Sequence, residues 1–134
     1  MKILTAEDEV YMNEMYRDTL EPLGHQILAT DNAEKCLTEY KNAYSKEPTP
    51  FDIVLLDYLM PEKDGVTLAK EILEINPKQK IIFVSAHGSL LSQKIKEIKG
   101  DIELMSKPVS VLGLAAKIEG TSEQDVSQRL KAAE

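Results

Sequence analysis

The stretch Phe51-Asp52-Ile53-Val54-Leu55-Leu56-Asp57-Tyr58-Leu59-Met60-Pro61 decides the fold. Phe51 and the run from Ile53 to Leu56 are apolar, and the run stops at the carboxylate of Asp57. A short apolar run bounded by turn residues reads as a strand buried on both faces. Open α/β sheets place their ligands beyond the C-terminal ends of such strands. Asp57 stands at that place and is the first candidate for chemistry.

Outward from this strand, strand-like and helix-like segments alternate. Further strands are expected at 2–6, 26–30, 80–85 and 102–105, with the central one at 52–57. Ala33, Leu37, Tyr40 and Tyr44 recur at helical spacing and share one face. Val66, Ala69 and Ile72-Leu73 do the same, as do Leu91, Ile95 and Ile98. Val111, Leu114-Ala115 and Ile118 mark a last helix, with Ser110 as its N-cap. Five strand–helix repeats predict one α/β domain, a doubly wound parallel sheet with helices on both faces and right-handed crossovers. Gly120 breaks the last helix. Thr121-Ser122-Glu123-Gln124 then matches a capping box, so residues 120–134 read as a polar tail that forms a short helix or frays. The tail is too short for a second domain, and no output domain is expected in the sequence given.

Composition limits the function classes. The chain has 134 residues, enough for one compact domain with a real core. Its formal net charge of −7 argues against direct nucleic-acid binding, which needs a basic face. The single cysteine, Cys36, cannot form an internal disulfide, which fits a reducing cytoplasm. No apolar stretch reaches the roughly 18 to 20 residues of a membrane span, and the acidic Glu7-Asp8-Glu9 argues against a signal peptide. A soluble, cytoplasmic protein without a membrane partner is expected.

Four more positions gain meaning once the strands are placed. Glu7 and Asp8 follow the first strand, Ser85 ends the fourth and Lys107 follows the fifth. A parallel sheet brings all of them to the edge that holds Asp57. Adjacent carboxylates repel by on the order of 4 kcal/mol per pair at about 4 Å and an effective dielectric of about 20. Such a cluster calls for a cation, and an all-oxygen donor set completed by water suits Mg²⁺. Lys107 adds a positive charge and Ser85 a hydroxyl, the parts that phosphoryl oxygens require.

These residues, with the Met60-Pro61-Glu62-Lys63-Asp64-Gly65 turn, Ser85-Ala86 and Lys107-Pro108, resemble the receiver domain of two-component response regulators. The intervals match: 49 positions from Asp8 to Asp57, 28 from Asp57 to Ser85 and 50 from Asp57 to Lys107. Gly100, seven positions before Lys107, fits as well. The resemblance covers about residues 1–119. It implies a flavodoxin-like sheet of order 2-1-3-4-5 and a cis Lys107-Pro108 bond. It also implies phosphoryl transfer to Asp57 from a phosphohistidine of a sensor histidine kinase or histidine phosphotransfer protein. Glu7, Asp8, Asp57 and the Leu59 carbonyl would hold Mg²⁺, Lys107 would pair with the phosphoryl oxygens, and Ser85 would turn toward them. A downstream protein target would then read the change.

Taken singly, each residue has an ordinary reading. Asp8 caps the first helix, Asp64 caps the third, Ser85 is a turn serine and Lys107 is solvated. Cys36, Tyr40 and Tyr44 are packing residues. Only the joint register raises the five site residues above these. Two positions depart from the family pattern. Leu104 stands where receivers carry an aromatic ring, and Val109 where phenylalanine is frequent. Leu59 and His87 flank the phosphoryl site, and a bulky apolar group at 59 predicts a long-lived phosphoryl state. Leu104 also keeps open a phosphorylation-independent interaction module on the same fold. A flavin-binding relative of the fold is disfavoured by Glu7-Asp8-Glu9, which would repel a flavin phosphate. A metal-dependent phosphatase is disfavoured because no second aspartate follows a nucleophile by two residues in the first strand's loop.

Overall fold

The computed structural model describes residues 1–132. Five strands form the sheet: β1 (Lys2–Ala6), β2 (Gln26–Thr30), β3 (Ile53–Leu56), β4 (Lys80–Ser85) and β5 (Asp101–Ser106). The helices are α1 (Val10–Leu20), α2 (Ala33–Tyr44), α3 (Gly65–Ile75), α4 (Gly88–Ile95), α5 (Val111–Glu119) and α6 (Glu123–Ala132). A 3-10 turn, Glu21–Leu23, extends α1 and ends at Gly24, whose φ of 96° suits glycine. All strand pairs are parallel and the order is β2-β1-β3-β4-β5, as the family resemblance implies.

The side-chain period of two divides the core into two layers. Leu4, Val54, Leu56, Ile81 and Phe83 point toward α2, α3 and α4. Ile3, Ile53, Leu55, Ile82 and Val84 point toward α1 and α5, where Val126 of α6 joins them. Strand β3 is buried at every residue, which is why its sequence is apolar without alternation. At about 1.5–3 kcal/mol for each large apolar side chain fully buried, these two layers supply the main driving force for folding.

Local chemistry sets where helices begin. Asn32 accepts a hydrogen bond from the Lys35 amide, Asp64 from Thr67 and Ser110 from Gly113, so three helices have side-chain N-caps. Five sequence readings change in the structure, the first being the strand expected at 102–105, which runs one residue further at each end. The strand expected at 52–57 is shorter: Asp52, whose amide donates to the Lys2 carbonyl and whose carboxylate accepts from the Lys2 amide, and Asp57 lie just outside the ladder pairs. Asp8 does not cap α1: the N-cap is Glu9, and no side chain caps that end. Helix α4 stops at Ile95, and Ile98 reaches the core from the turn beyond it. The cap of α6 is Ser122, one residue later than the box read from Thr121, and its hydroxyl accepts from the Asp125 amide at 3.1 Å.

Candidate functional site

The ladder register assembles the site before any side chain is considered. Ala6 pairs with Leu56, so the next residues on β1 and β3 emerge side by side. The Asp57 amide donates to the Ala6 carbonyl (3.0 Å), and the Glu7 amide donates to Thr30 (3.1 Å). On the other flank, the Lys107 amide donates to the Ser85 carbonyl (2.8 Å), which ties the β5–α5 loop to the end of β4. The Lys107-Pro108 bond in that loop is cis.

Glu7, Asp8 and Asp57 each present a carboxylate oxygen, and these oxygens lie within 4.8 Å of one another. Opposite ligands of a six-coordinate ion with bonds of about 2.1 Å are separated by roughly 4.2 Å, so the spacing fits a small hard cation. The donor chemistry fits too, being all oxygen. Glu7 and Asp57 are buried, whereas Asp8 faces solvent. Lys107 is the cation these acids already have: its ammonium lies 2.9 Å from Glu7 Oε1, 3.3 Å from Asp57 Oδ2 and 3.7 Å from Glu9 Oε1. One ammonium among four carboxylates leaves excess negative charge in a partly desolvated place. The titration behaviour reflects this. Burial pushes the Glu7 carboxyl up to about 7, Asp57 adds to the rise, and the Lys107 hydrogen bond opposes it. Burial works against the Lys107 ammonium, yet Glu7 and Asp57 outweigh it and hold its pKa above the ordinary value.

Asp57 is held as well as charged. Its Oδ1 accepts from the Tyr58 amide at 2.7 Å. Gly65, the first residue of α3, packs directly on the Asp57 carbonyl, where a Cβ would come within 2.1 Å of the oxygen. Only glycine allows helix and strand end to meet that closely.

The structure thus brings Glu7, Asp8 and Asp57 together, with Lys107 in contact with Glu7 and Asp57. Ser85 is at the same edge and fully buried, but its hydroxyl accepts from the His87 amide at 3.0 Å and stays within its own loop. Leu59, two residues after Asp57, is 49% exposed, and His87 is also exposed. Leu104 is half-buried and packs against the core next to α4. Sequence reasoning missed Asn13. Its amide donates to the carbonyls of Glu7 (2.9 Å) and Thr30 (3.1 Å), and its oxygen accepts from Thr5 (2.7 Å). These bonds fix the loop that carries the acidic pair. The only sequence signal was a polar residue on the inner side of α1.

A family model described as the response regulator receiver domain matches residues 3–119. The chain belongs to that family. This receiver is 31% identical over 119 residues to the response regulator receiver protein CpdR of Brucella abortus, covering 88% of this chain and 93% of that one. It is 36% identical over 88 residues to the chemotaxis protein CheY of Bacillus subtilis, covering 65% of this chain and 68% of the relative. Among solved structures, the receiver is similar to the response regulator TrrA of Thermotoga maritima, determined in complex with Mg²⁺ and beryllium fluoride. That similarity has a TM-score of 0.75 and 26% identity, and it covers 89% of this chain and 96% of the other. No helix among the described residues is long and apolar enough to cross a membrane.

Proposed function

We propose that this receiver is the phosphoacceptor of a two-component relay, with Asp57 as the residue that takes the phosphoryl group. The observation that carries the reading is the cluster itself: three carboxylate oxygens within 4.8 Å, with the Lys107 ammonium paired to both Glu7 and Asp57. The donor is a phosphohistidine on a sensor histidine kinase or a histidine phosphotransfer protein. The Asp57 carboxylate attacks phosphorus, the P–N bond breaks, and the imidazole nitrogen leaves with the electron pair and takes a proton. The product is an acyl phosphate on Asp57. Lys107, already between Glu7 and Asp57, is placed to follow the new negative charge onto the phosphoryl oxygens.

Glu7, Asp8, Asp57 and the Leu59 carbonyl would hold Mg²⁺. When bound, it neutralises the acids and the charge on the transferring group. The complex of TrrA with Mg²⁺ and beryllium fluoride supports the same pairing of metal and phosphoryl-shaped ligand here. Asn13 and Gly65 orient: one holds the acidic loop, the other seats Asp57. Ser85 must leave the His87 amide to reach a phosphoryl oxygen, and that movement would carry the state of Asp57 into the β4–α4 loop. A cytoplasmic protein target that binds the altered surface completes the function.

The test is uptake of labelled phosphoryl from acetyl phosphate or a cognate kinase. Wild type takes up label in Mg²⁺ and loses the ability on chelation, and Asp57→Asn takes up none. Labelling of Asp57→Asn at the wild-type level would overturn the assignment.

A further inference from the structure

The loop from β3 to α3 is anchored at its ends and strained at its tip. At the far end the Gly65 amide donates to the Tyr58 carbonyl at 2.8 Å. At the tip the Lys63 amide donates to the Pro61 carbonyl at 2.8 Å, closing a three-residue γ-turn around Glu62. Glu62 has φ of 72°, the one positive value on a non-glycine residue among the described residues. Such a backbone is unfavourable for a residue with a Cβ and persists only where neighbours over-determine it.

Lys63 supplies the restraint. Its ammonium lies 2.7 Å from Glu34 Oε1 on α2 and 2.6 Å from Glu71 Oε1 on α3. The side chain is only 19% exposed, so the charge is clamped between two helices to which the residue does not belong. Glu34 also lines a cleft of about 550 Å³ whose wall includes Glu7 and Asp8. The clamp therefore fixes the loop against the side of the fold that carries the acidic pair. Leu59, the residue whose carbonyl faces the metal in the proposed function, lies four positions before Lys63 in this loop.

We infer that Lys63 is a positioning residue for the metal site: by bridging Glu34 and Glu71 it holds the strained Pro61–Lys63 turn and, through it, the loop that presents Leu59. The inference rests on the reading of Glu7, Asp8 and Asp57 as a Mg²⁺ site. A lysine that merely stabilised the fold would change the melting temperature and leave Mg²⁺ affinity alone.

An NMR titration of the full, metal-free chain with MgCl₂ separates these roles. Lys63→Met, which keeps the apolar stem, should raise the Mg²⁺ Kd by about threefold to tenfold, as its ion pairs to the exposed Glu34 and the half-buried Glu71 are lost together. Lys63→Arg should restore it. Glu71→Gln, which leaves the bond to Glu34, should fall between and tests the clamp even if Lys63→Met fails to fold. Adding Glu62→Gly to Lys63→Met should recover most of the lost affinity, because a turn without left-handed strain needs no clamp. Wild-type affinity in both Lys63→Met and Glu71→Gln would overturn the role of Lys63 alone. A wild type that shows no saturable response to Mg²⁺ would overturn the metal site and this inference with it.

Discussion

At the scale of single residues, Glu7 should make Mg²⁺ binding at the proposed site dependent on pH. Its carboxyl, ordinarily near 4.5, rises to about 7 in the folded chain. The folded state thus binds a proton that the unfolded chain has already released. Its contribution to stability is present below about pH 4.5 and is lost as pH rises through about 7. A cation entering below that point must displace this proton. Mg²⁺ affinity measured at about pH 6 should therefore be weaker than at about pH 8, approaching roughly tenfold per pH unit at the acid end. Glu7→Gln should flatten the dependence, and an equally steep slope in that variant would locate the proton elsewhere. Leu59 acts on a different step. Leu59 is 49% exposed two residues after Asp57, and in the proposed function its apolar side chain would hinder water attacking the acyl phosphate. Leu59→Asn offers a hydrogen bond to that water and should shorten the phosphoryl half-life severalfold, read as label lost over time. An unchanged half-life counts against the role. All five of the side chains first read as candidates lie at one sheet edge, since strand ends are visible in the apolar pattern and register does the rest. Asn13 and Lys63 were not legible. Each works by reaching across to another element, and nothing in a local pattern records such a partner.

Among the elements, α6 is the one whose role the tail's polarity hid. Val126 is fully buried and Leu130 packs on the layer that includes Tyr16 and Leu20. A half-buried polar chain secures it: His25 Nε2 donates to Glu119 Oε2 at 2.6 Å, and Arg129 of α6 donates to the other Glu119 oxygen. Burial alone would raise the Glu119 carboxyl, but the hydrogen bonds from Arg129 and His25 hold it below the usual range. A depressed carboxyl contributes stability above its unfolded pKa and loses it as pH falls through the folded one. Glu119→Gln should cost about 1–3 kcal/mol at neutral pH, and the gap to wild type should narrow below about pH 4 in urea unfolding. A gap that is constant with pH would assign the loss to packing. The sequence pattern left a short helix or a frayed end open here, because capping residues and a glycine stop are local signals that do not record docking. It missed the docking because two large apolar residues in ten make a weak stripe. By contrast, the apolar run made β3 legible as a strand buried on both faces, whereas its ends were off by one residue. Asp52 and Asp57 suit a strand's flanks as well as its last ladder positions.

The whole molecule couples this site to its stability. A ligand that binds only the folded state stabilises it by RT ln(1 + [L]/Kd), about 1.4 kcal/mol at ten times the Kd. Mg²⁺ should therefore raise the melting temperature of wild type by a few degrees at that excess and leave Asp57→Asn nearly unmoved. Equal shifts in both would place the ion elsewhere. The pairing of Glu7 with Lys107 spans 100 positions of chain. During synthesis, the acids of β1 and β3 leave the ribosome well before the lysine. A nascent chain that has emerged only through β4 carries Glu7, Asp8 and Asp57 but no Lys107 to answer them. In the proposed function, the charge cluster that receives a phosphoryl group is therefore complete only once β5 and the loop after it have joined the sheet.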